Sequence, residues 1–315
     1  MRNNSQRQSN IITIIFKQVF RIKDSLSWTA ISFGGFILGL TSLDLYDNII
    51  PLAVFLVSTF FIMAFTFSIN NYFDADSDRQ NPRRREINAI ASGKISERNG
   101  SYLIIISAII PLIVSFLFSY QAILFCGFLL FLGWIYSAPP LRLKGRLIWD
   151  IVWHFTVFFS YVLWGSYIAG SIGIINWFAA LSIGAFSLIG QVENHIEDYE
   201  YDKESGTKTF AVWIGIKRAK SILTGLSFIH LITLIPLIIL CTLNYYVTII
   251  STIILAILGF IFFKTKKEID SSQTLFVKYS TYIIGGSVYL SCLIYQILFL
   301  YGMTTIGLVE SIGFF

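Results

Sequence analysis

Charged residues are scarce in this sequence. Asp, Glu, Lys and Arg together make up 13% of its 315 residues, whereas hydrophobic residues make up 55%. A soluble domain typically carries about 25% charged residues, so this composition excludes a soluble globular protein. Apolar stretches of roughly 18 residues or more recur along the whole chain, and this length is typical of membrane-spanning helices.

Cysteine is also scarce. The three cysteines, Cys126, Cys241 and Cys292, lie in or at the ends of apolar stretches, and their spacing matches neither a metal site nor a disulfide framework. We therefore interpret them as packing residues. The N-terminus lacks the pattern of a signal peptide, because its apolar run 11–16 is too short. Residues 10–26 instead have the composition of an amphipathic helix that lies on the membrane surface.

The apolar pattern predicts an all-α membrane protein with nine transmembrane helices. Spans 2 and 6 both end in an acidic motif, and this equivalence predicts an internal four-helix repeat. The predicted spans are 27–46, 49–73, 101–119, 121–138, 148–170, 174–193, 219–241, 243–263 and 276–300. This assignment leaves 1–26 as a cytoplasmic N-terminus, 27–300 as a single transmembrane domain, and 301–315 as a short extracytoplasmic tail.

Basic residues are missing from every second predicted loop. All 23 Lys and Arg residues lie at the N-terminus or in loops that follow even-numbered spans. The positive-inside rule therefore predicts a multi-pass protein of the cell membrane whose N-terminus and even-numbered loops are cytoplasmic. Nucleic-acid binding is a poor explanation of the net charge of +5, because the basic residues lie on short loops next to the membrane. No obligate protein partner is evident.

Two polar motifs interrupt the apolar pattern, and each follows an equivalent span. Residues 70–78 read NNYFDADSD and residues 194–202 read NHIEDYEYD, so both fit N-x-x-x-D-x-x-x-D. On a helix, residues four apart share a face, which predicts two stripes of polar side chains at the cytoplasmic membrane surface. A single motif of this kind is most often a solvated helix end, but two copies at equivalent positions favour a functional site.

The two stripes have the chemistry of a magnesium site. Mg²⁺ prefers oxygen ligands and commonly binds a few carboxylates together with substrate phosphates. We predict that it bridges the motifs to a diphosphate. The predicted metal ligands are Asn70, Asp74, Asp78, Asp198 and Asp202. Asn194 is the counterpart of Asn70, and either side chain would supply a neutral oxygen or hold an Asp in place.

A third polar segment, 136–146, follows the fourth predicted span and reads YSAPPLRLKGR. Its two prolines end the helix. Arg142 and Lys144 then lie on the same side of the membrane as the acidic motifs, where they would bind diphosphate oxygens and stabilise a leaving group. For Lys144 and for Arg146 the alternative is an ordinary positive-inside charge.

These residues resemble the UbiA superfamily of intramembrane prenyltransferases. The first motif of that family is N-D-x-x-D-x-x-x-D, and Asn71 replaces its first Asp here. The second is D-x-x-D-x-x-x-D followed by G-x-x-T. Asp198, Asp202, Gly206 and Thr209 match it, whereas His195 replaces the first Asp. Each departure removes a carboxylate.

The resemblance implies nine helices around a central cavity and Mg²⁺-dependent transfer of a prenyl group from a prenyl diphosphate to a lipophilic acceptor. Aromatic, glycerophospholipid-type and isoprenoid acceptors all occur in the family. The predicted catalytic residues are Asp74, Asp198, Tyr136 and Lys144. The predicted substrate-binding residues are Asn70, Arg142, Lys144, Asn194 and Lys208. Two other functions stay open at this point: a non-catalytic protein that binds a prenylated lipid, and a transporter with an acidic cytoplasmic gate.

Overall fold

The computed structural model describes residues 11–204, 206–241, 250, 253–254, 257 and 279–311. These residues are almost entirely helical, and no β-strand occurs among them. In chain order the elements are a π-helix Ile15–Val19, α1 Ile22–Gly39, α2 Leu45–Gln80, α3 Pro82–Ile87, α4 Glu97–Phe118, α5 Tyr120–Ser137, α6 Leu147–Ala169, α7 Ile174–Glu197, α8 Tyr199–Glu204, α9 Phe210–Ile214, α10 Ile216–Cys241, and α11 Gly286–Ser311, which a π-helix Tyr279–Gly285 precedes.

Seven helices in the described part of the chain are long and apolar enough to cross a membrane. They correspond to seven of the nine predicted spans. The predicted span 243–263 lies almost entirely outside the described residues. The predicted span 27–46 corresponds to α1, which is not among the seven. The all-helical fold is thus confirmed, whereas the total of nine spans and the four-helix repeat stay predictions, as do the three predicted chain regions.

The first predicted span, 27–46, extends too far toward the C-terminus. Helix α1 ends at Gly39, and α2 begins at Leu45. The side chain of Asp44 accepts a hydrogen bond from Tyr46 N over 2.7 Å, which satisfies one of the free amides at the start of α2. Asn48 donates to the carbonyl oxygens of Ser42 and Asp44, both over 2.8 Å. These polar residues therefore separate two helices that hydropathy alone places closer together.

The described residues fall into two compact units. The first comprises the described residues up to Ser32 together with Ile50–Lys144, and the second comprises Phe33–Ile49 together with the described residues from Gly145 onward. In the first unit, α4 packs on α5. The N-terminal segment, predicted as an interfacial helix, is helical over much of its length, but Val19 and Phe20 are buried against apolar residues of the same unit. Part of this segment therefore belongs to the protein core and does not face lipid.

In the second unit, α7 packs against both α6 and α10, and α10 packs against α11. The C-terminal part of α1 approaches α6 closely because two glycines one turn apart face it. A Cβ atom on Gly35 would lie 2.1 Å from Val162 O, and one on Gly39 would lie 2.4 Å from Ser166 O. Ser166 Oγ donates to Gly35 O over 2.9 Å. Small residues at such a spacing are typical of close helix pairs in membranes.

Candidate functional site

The first acidic motif lies at the C-terminal end of α2. The apolar part of this helix continues into the motif without a break, so Asn70, Asp74 and Asp78 follow one another on a single helix. Side chains with this spacing lie on one face. Asp74 is buried, whereas Asn70 and Asp78 are partly exposed. The stripe therefore has a buried carboxylate at its centre and a partly exposed polar side chain one turn to either side.

Asp74 is the centre of a cluster of charges in the first unit. Its side chain is only 8% exposed. Arg142 Nη2 donates to Asp74 Oδ1 over 2.8 Å, and the ammonium group of Lys144 donates to Oδ2. With its amide oriented to suit its neighbours, Asn70 donates to Asp74 Oδ2 over 3.0 Å and accepts from Lys144 Nζ and Ser137 Oγ, both over 3.2 Å. Two cations thus face one carboxylate, and the cluster carries a net charge of +1.

The loop after α5 brings both basic side chains to Asp74. Pro139-Pro140 ends the helix, as predicted, and the chain turns back on itself. Arg142 N donates to Ala138 O over 2.9 Å, and Lys144 N donates to Tyr136 O over 3.0 Å. Arg142 has a φ angle of +36°, in a region that non-glycine residues rarely adopt and that often marks functional sites. Tyr136 itself is half-buried.

Asp78 is held by a neutral side chain. Asn88 Nδ2 donates to Asp78 Oδ2 over 2.9 Å. Asn88 lies in the loop between α3 and α4, and only 2% of it is exposed. A neutral donor orients a carboxylate without cancelling its charge, unlike the two cations that face Asp74.

Asn71, which replaces a family Asp, does not point along the acidic stripe. Its amide nitrogen donates to Gln18 O over 2.7 Å and to Val19 O over 3.4 Å. An ionised Asp has no hydrogen to donate to these carbonyl oxygens. In this chain the position therefore ties α2 to the N-terminal segment, and an amide is the group that this contact requires.

The second acidic motif spans the junction of α7 and α8 in the second unit. Asp198 interrupts the helix, although the backbone bonds Asp198 N to Asn194 O (3.0 Å) and Asp202 N to Asp198 O (2.8 Å) maintain its register. Asn194, Asp198 and Lys208 are exposed, whereas Asp202 is buried. Gly206 follows with a φ angle of +72°, a conformation that favours glycine.

His195, the other departure from the family pattern, contacts a buried carboxylate on α6. His195 Nε2 lies 3.1 Å from Asp150 Oδ2, and Gln191 Nε2 donates to the same oxygen over 3.0 Å. His154 Nδ1 lies 3.4 Å from Asp150 Oδ1. The buried charge of Asp150 therefore has several polar neighbours, as buried carboxylates require, and the network ties α6 to α7.

The oxygen donors of the first motif are of the type that Mg²⁺ binds, namely two carboxylates and one amide. In the part of the chain that the structure describes, no group of three or more His, Cys, Asp or Glu side chains lies close enough to hold a metal ion. The basic side chains of Arg142 and Lys144 occupy the oxygens of Asp74 instead. The donor chemistry therefore fits Mg²⁺, and the charge of Asp74 is balanced by protein cations.

Comparison with known proteins identifies the family. A sequence profile of the UbiA prenyltransferase family matches residues 28–284. The chain belongs to the UbiA prenyltransferase family. With its apolar helices, this membership makes the chain an integral membrane protein.

Curated relatives of this UbiA-family protein are of two kinds, lycopene elongase/hydratases and digeranylgeranylglyceryl phosphate synthases. It is 30% identical over 155 residues to a lycopene elongase/hydratase of Corynebacterium glutamicum, and the match covers 49% of this chain and 54% of that protein. The chain thus matches about half the length of that relative. It is also 30% identical over 249 residues to a digeranylgeranylglyceryl phosphate synthase of Korarchaeum cryptofilum, where 74% of this chain and 82% of that protein are covered.

A solved structure shares the fold. The UbiA homologue of Archaeoglobus fulgidus bound to GPP and Mg²⁺ superposes with a TM-score of 0.65 at 22% identity, over 91% of this chain and 99% of that one. A solved digeranylgeranylglyceryl phosphate synthase has a TM-score of 0.64 at 21% identity, over 90% of this chain and 98% of that one. These similarities establish a UbiA-like fold.

Sequence reasoning missed three polar residues at these sites: Asn88, Asp150 and Gln191. Asn88 lies ten residues from Asp78, and Asp150 lies 45 residues from His195. The local sequence around these residues does not predict their partners. A charged residue inside an apolar span is nevertheless a functional or structural signal in itself, and Asp150 could have been selected on that ground.

Proposed function

We propose that this UbiA-family protein transfers the prenyl group of a prenyl diphosphate to a lipophilic acceptor within the membrane. The observation that supports this most directly is the cluster around Asp74. A buried carboxylate beside an arginine and a lysine has the mixed charge that a metal-bound diphosphate needs: carboxylate oxygens for the metal and cationic donors for the phosphate oxygens.

We propose that Asn70, Asp74 and Asp78 of the first motif hold Mg²⁺ when substrate is bound, and that Asp198 and Asp202 of the second motif are also Mg²⁺ ligands. The ion supplies positive charge that offsets the charge of the diphosphate. The oxygen-rich chemistry of the donors supports this assignment. On this proposal Asn194 and Lys208, which are exposed beside the second motif, contribute further contacts to the diphosphate.

The basic side chains of the loop after α5 act on the leaving group. In the reaction the bond between C1 of the prenyl chain and a diphosphate oxygen breaks, and negative charge develops on that oxygen. On this proposal Arg142 and Lys144, which pair with the buried carboxylate of Asp74, donate to this oxygen and stabilise its charge. On this proposal Tyr136, in the same turn, presents its ring to the developing carbocation.

The membrane location suits the chemistry in two ways. A prenyl carbocation reacts with water, so transfer requires a site from which water is excluded, and apolar spanning helices provide such surroundings. The acceptor and the prenyl chain are both lipophilic and reach the site from the bilayer. A fixed acceptor next to C1 then reacts in preference to solvent because of its proximity.

Two acceptor classes are favoured. The curated relatives are a lycopene elongase/hydratase and digeranylgeranylglyceryl phosphate synthases. We therefore propose an isoprenoid hydrocarbon or an isoprenyl glycerol phosphate as acceptor, in place of the wider range that the sequence alone left open. The distribution of Lys and Arg supports a cytoplasmic location of the N-terminus and of both motifs.

A transfer assay with purified protein in lipid nanodiscs tests the proposal. Labelled dimethylallyl diphosphate is supplied with lycopene, and labelled geranylgeranyl diphosphate with geranylgeranylglyceryl phosphate, with and without Mg²⁺. We expect one of these two donor–acceptor pairs to give a prenylated product and to release diphosphate. Product formation and diphosphate release should both require Mg²⁺. Turnover should fall by about a hundred- to a thousandfold in Asp74→Asn, because the loss of one group that stabilises developing charge commonly costs factors of this size.

A matched control lies two residues away. Asp76 is in the same motif on the same helix, but 91% of its side chain is exposed, and it pairs with Arg79. Asp76→Asn should therefore retain turnover within about threefold of the wild type, since exposed ion pairs contribute little. Equal activity of Asp74→Asn and Asp76→Asn would contradict the assignment of the site.

A further inference from the structure

The buried side chain of Asn88 makes four hydrogen bonds. Its amide nitrogen donates to Asn71 O over 2.8 Å and to Asp78 Oδ2 over 2.9 Å. Its carbonyl oxygen accepts from Ile90 N over 3.0 Å and from Ala91 N over 3.2 Å. An Asn side chain has two hydrogens to donate and two lone pairs to accept with. Every one of these positions is used, so the orientation of the amide is fully determined.

Asp78 needs such a partner because of its place on α2. It lies in the last turn of the helix, which ends at Gln80, and helix ends fray. A carboxylate at a frayed end samples several rotamers, and a ligand group with free rotamers costs binding free energy when it is fixed. Asn88 restricts the carboxylate through one oxygen, and the charge of Asp78 stays intact because the donor is neutral.

The contacts of Asn88 extend to the N-terminal segment. The same residue whose carbonyl it binds, Asn71, donates through its side chain to Gln18 O and Val19 O. Gln18 Nε2 in turn donates to Glu86 O over 3.3 Å. The last turn of α2, the loop after it and the N-terminal segment are thereby joined in one network, which lies in a single unit of the chain.

We propose that Asn88 is a positioning residue that orients the carboxylate of Asp78 for the Mg²⁺–prenyl diphosphate complex. The inference rests on the proposed function, and it adds a residue outside both acidic motifs to the donor site. Asn88 acts through Asp78 and not on the substrate. Its loss therefore weakens the binding of prenyl diphosphate with Mg²⁺ and leaves the acceptor unaffected.

A purely structural role of Asn88 in the loop makes a different prediction. In that case only the hydrogen bonds to Ile90 N and Ala91 N affect the binding of prenyl diphosphate. A residue that preserves the turn should then replace Asn88 without weakening that binding. Serine separates the two roles. Its hydroxyl can accept from a backbone amide two residues further on, but it is too short to reach Asp78.

The experiment compares Asn88→Ser with Asn81→Ser. Asn81 accepts from Arg83 N and Arg84 N at the start of α3, so it has the same capping role as Asn88, and serine is a good cap. Geranyl diphosphate is titrated against each protein in nanodiscs at several Mg²⁺ concentrations. The KM values for Mg²⁺ and for the acceptor are measured in the transfer assay. Asn88→Ala also removes the side-chain acceptor of the turn, so it is included to measure how much the loss of the turn weakens binding.

For Asn88→Ser we expect about tenfold weaker Mg²⁺-dependent binding of geranyl diphosphate, the loss typical of a hydrogen bond to a charged group. The acceptor KM should stay within about twofold of the wild type. Asn81→Ser should match the wild type in its binding of geranyl diphosphate and in its acceptor KM. Wild-type binding by Asn88→Ser, or an equal loss in Asn81→Ser, would overturn the inference. Absence of Mg²⁺-dependent binding in the wild type would instead refute the proposed function.

Discussion

Replacement of Asn71 by the family residue is a direct test of how this chain departs from the family pattern. Asn71→Asp removes the donor that binds Gln18 O over 2.7 Å and Val19 O over 3.4 Å. It also places a carboxylate against these two carbonyl oxygens at a position that is 7% exposed. The substitution restores the family motif in the sequence, but the two carbonyl oxygens next to this position disfavour a carboxylate.

The expected loss follows from these contacts. A buried carbonyl left without a donor costs about 1–3 kcal/mol, and the 2.7 Å bond is the one that matters most. The new charge adds repulsion and desolvation, so we expect a loss of about 3 kcal/mol in the free energy of unfolding. The melting temperature should fall by roughly 5–10 °C.

Thermal unfolding in detergent, followed by tryptophan fluorescence, measures this loss. Limited trypsin digestion gives a second readout, because release of the N-terminal segment should speed cleavage at Arg21 and Lys23. Asn71→Leu serves as the control: it removes the same hydrogen bonds without adding charge, and should lose less stability than Asn71→Asp. If Asn71→Asp is as stable and as resistant to trypsin as the wild type, the contact with the N-terminal segment has no energetic role.

Two further predictions concern the second unit. Gly35→Ala should reduce stability by at least about 3 kcal/mol, since its Cβ would lie 2.1 Å from a backbone oxygen of α6 that cannot move away. Gly127→Ala, where a Cβ meets nothing within 4 Å, should not be destabilising, and equal melting temperatures of the two variants would refute this account of the helix contact. His195→Ala should reduce stability by about 3 kcal/mol, because it removes a partner of the buried carboxylate Asp150. In the Asp150→Asn background the same substitution should cost less than half as much, and strict additivity would show that the two side chains do not interact.

Much of the fold can be predicted from hydropathy because a lipid environment leaves few alternatives. The predicted spans 101–119 and 121–138 differ from α4 and α5 by at most four residues at either end. The boundary between them is marked by Ser119, whose side chain accepts from Ala122 N over 3.0 Å at the start of α5. Such spans are long, uniform and bounded by polar residues, and these features are local in the sequence.

Errors arise where polar residues decide the structure and apolar periodicity does not. The first span was predicted to end at residue 46, but Asp44 begins a new helix at Leu45. The apolar residues of the N-terminal segment also have protein partners, such as those around Val19 and Phe20, which hydropathy cannot reveal.

The candidate site shows the same limit. Asp74, Arg142 and Lys144 could be selected from the sequence because each belongs to a recognisable pattern, and the structure brings all three together. No sequence pattern predicts the partners of Asn88 and Asp150, because tertiary packing decides them. The departures from the family motif are understood only from those partners: Asn71 donates to backbone carbonyls, and the histidine of the second motif faces a carboxylate on another helix.

The central claim is that both acidic motifs serve one prenyl transfer reaction. The most direct measurement is single-turnover transfer from labelled geranylgeranyl diphosphate in nanodiscs, by the wild type, by Asp74→Asn and by Asp198→Asn, with Glu200→Gln as an exposed control within the second motif. We predict that the product requires Mg²⁺ and disappears in both Asp variants, while the Glu200 variant retains it. Wild-type rates in either Asp74→Asn or Asp198→Asn would contradict the account.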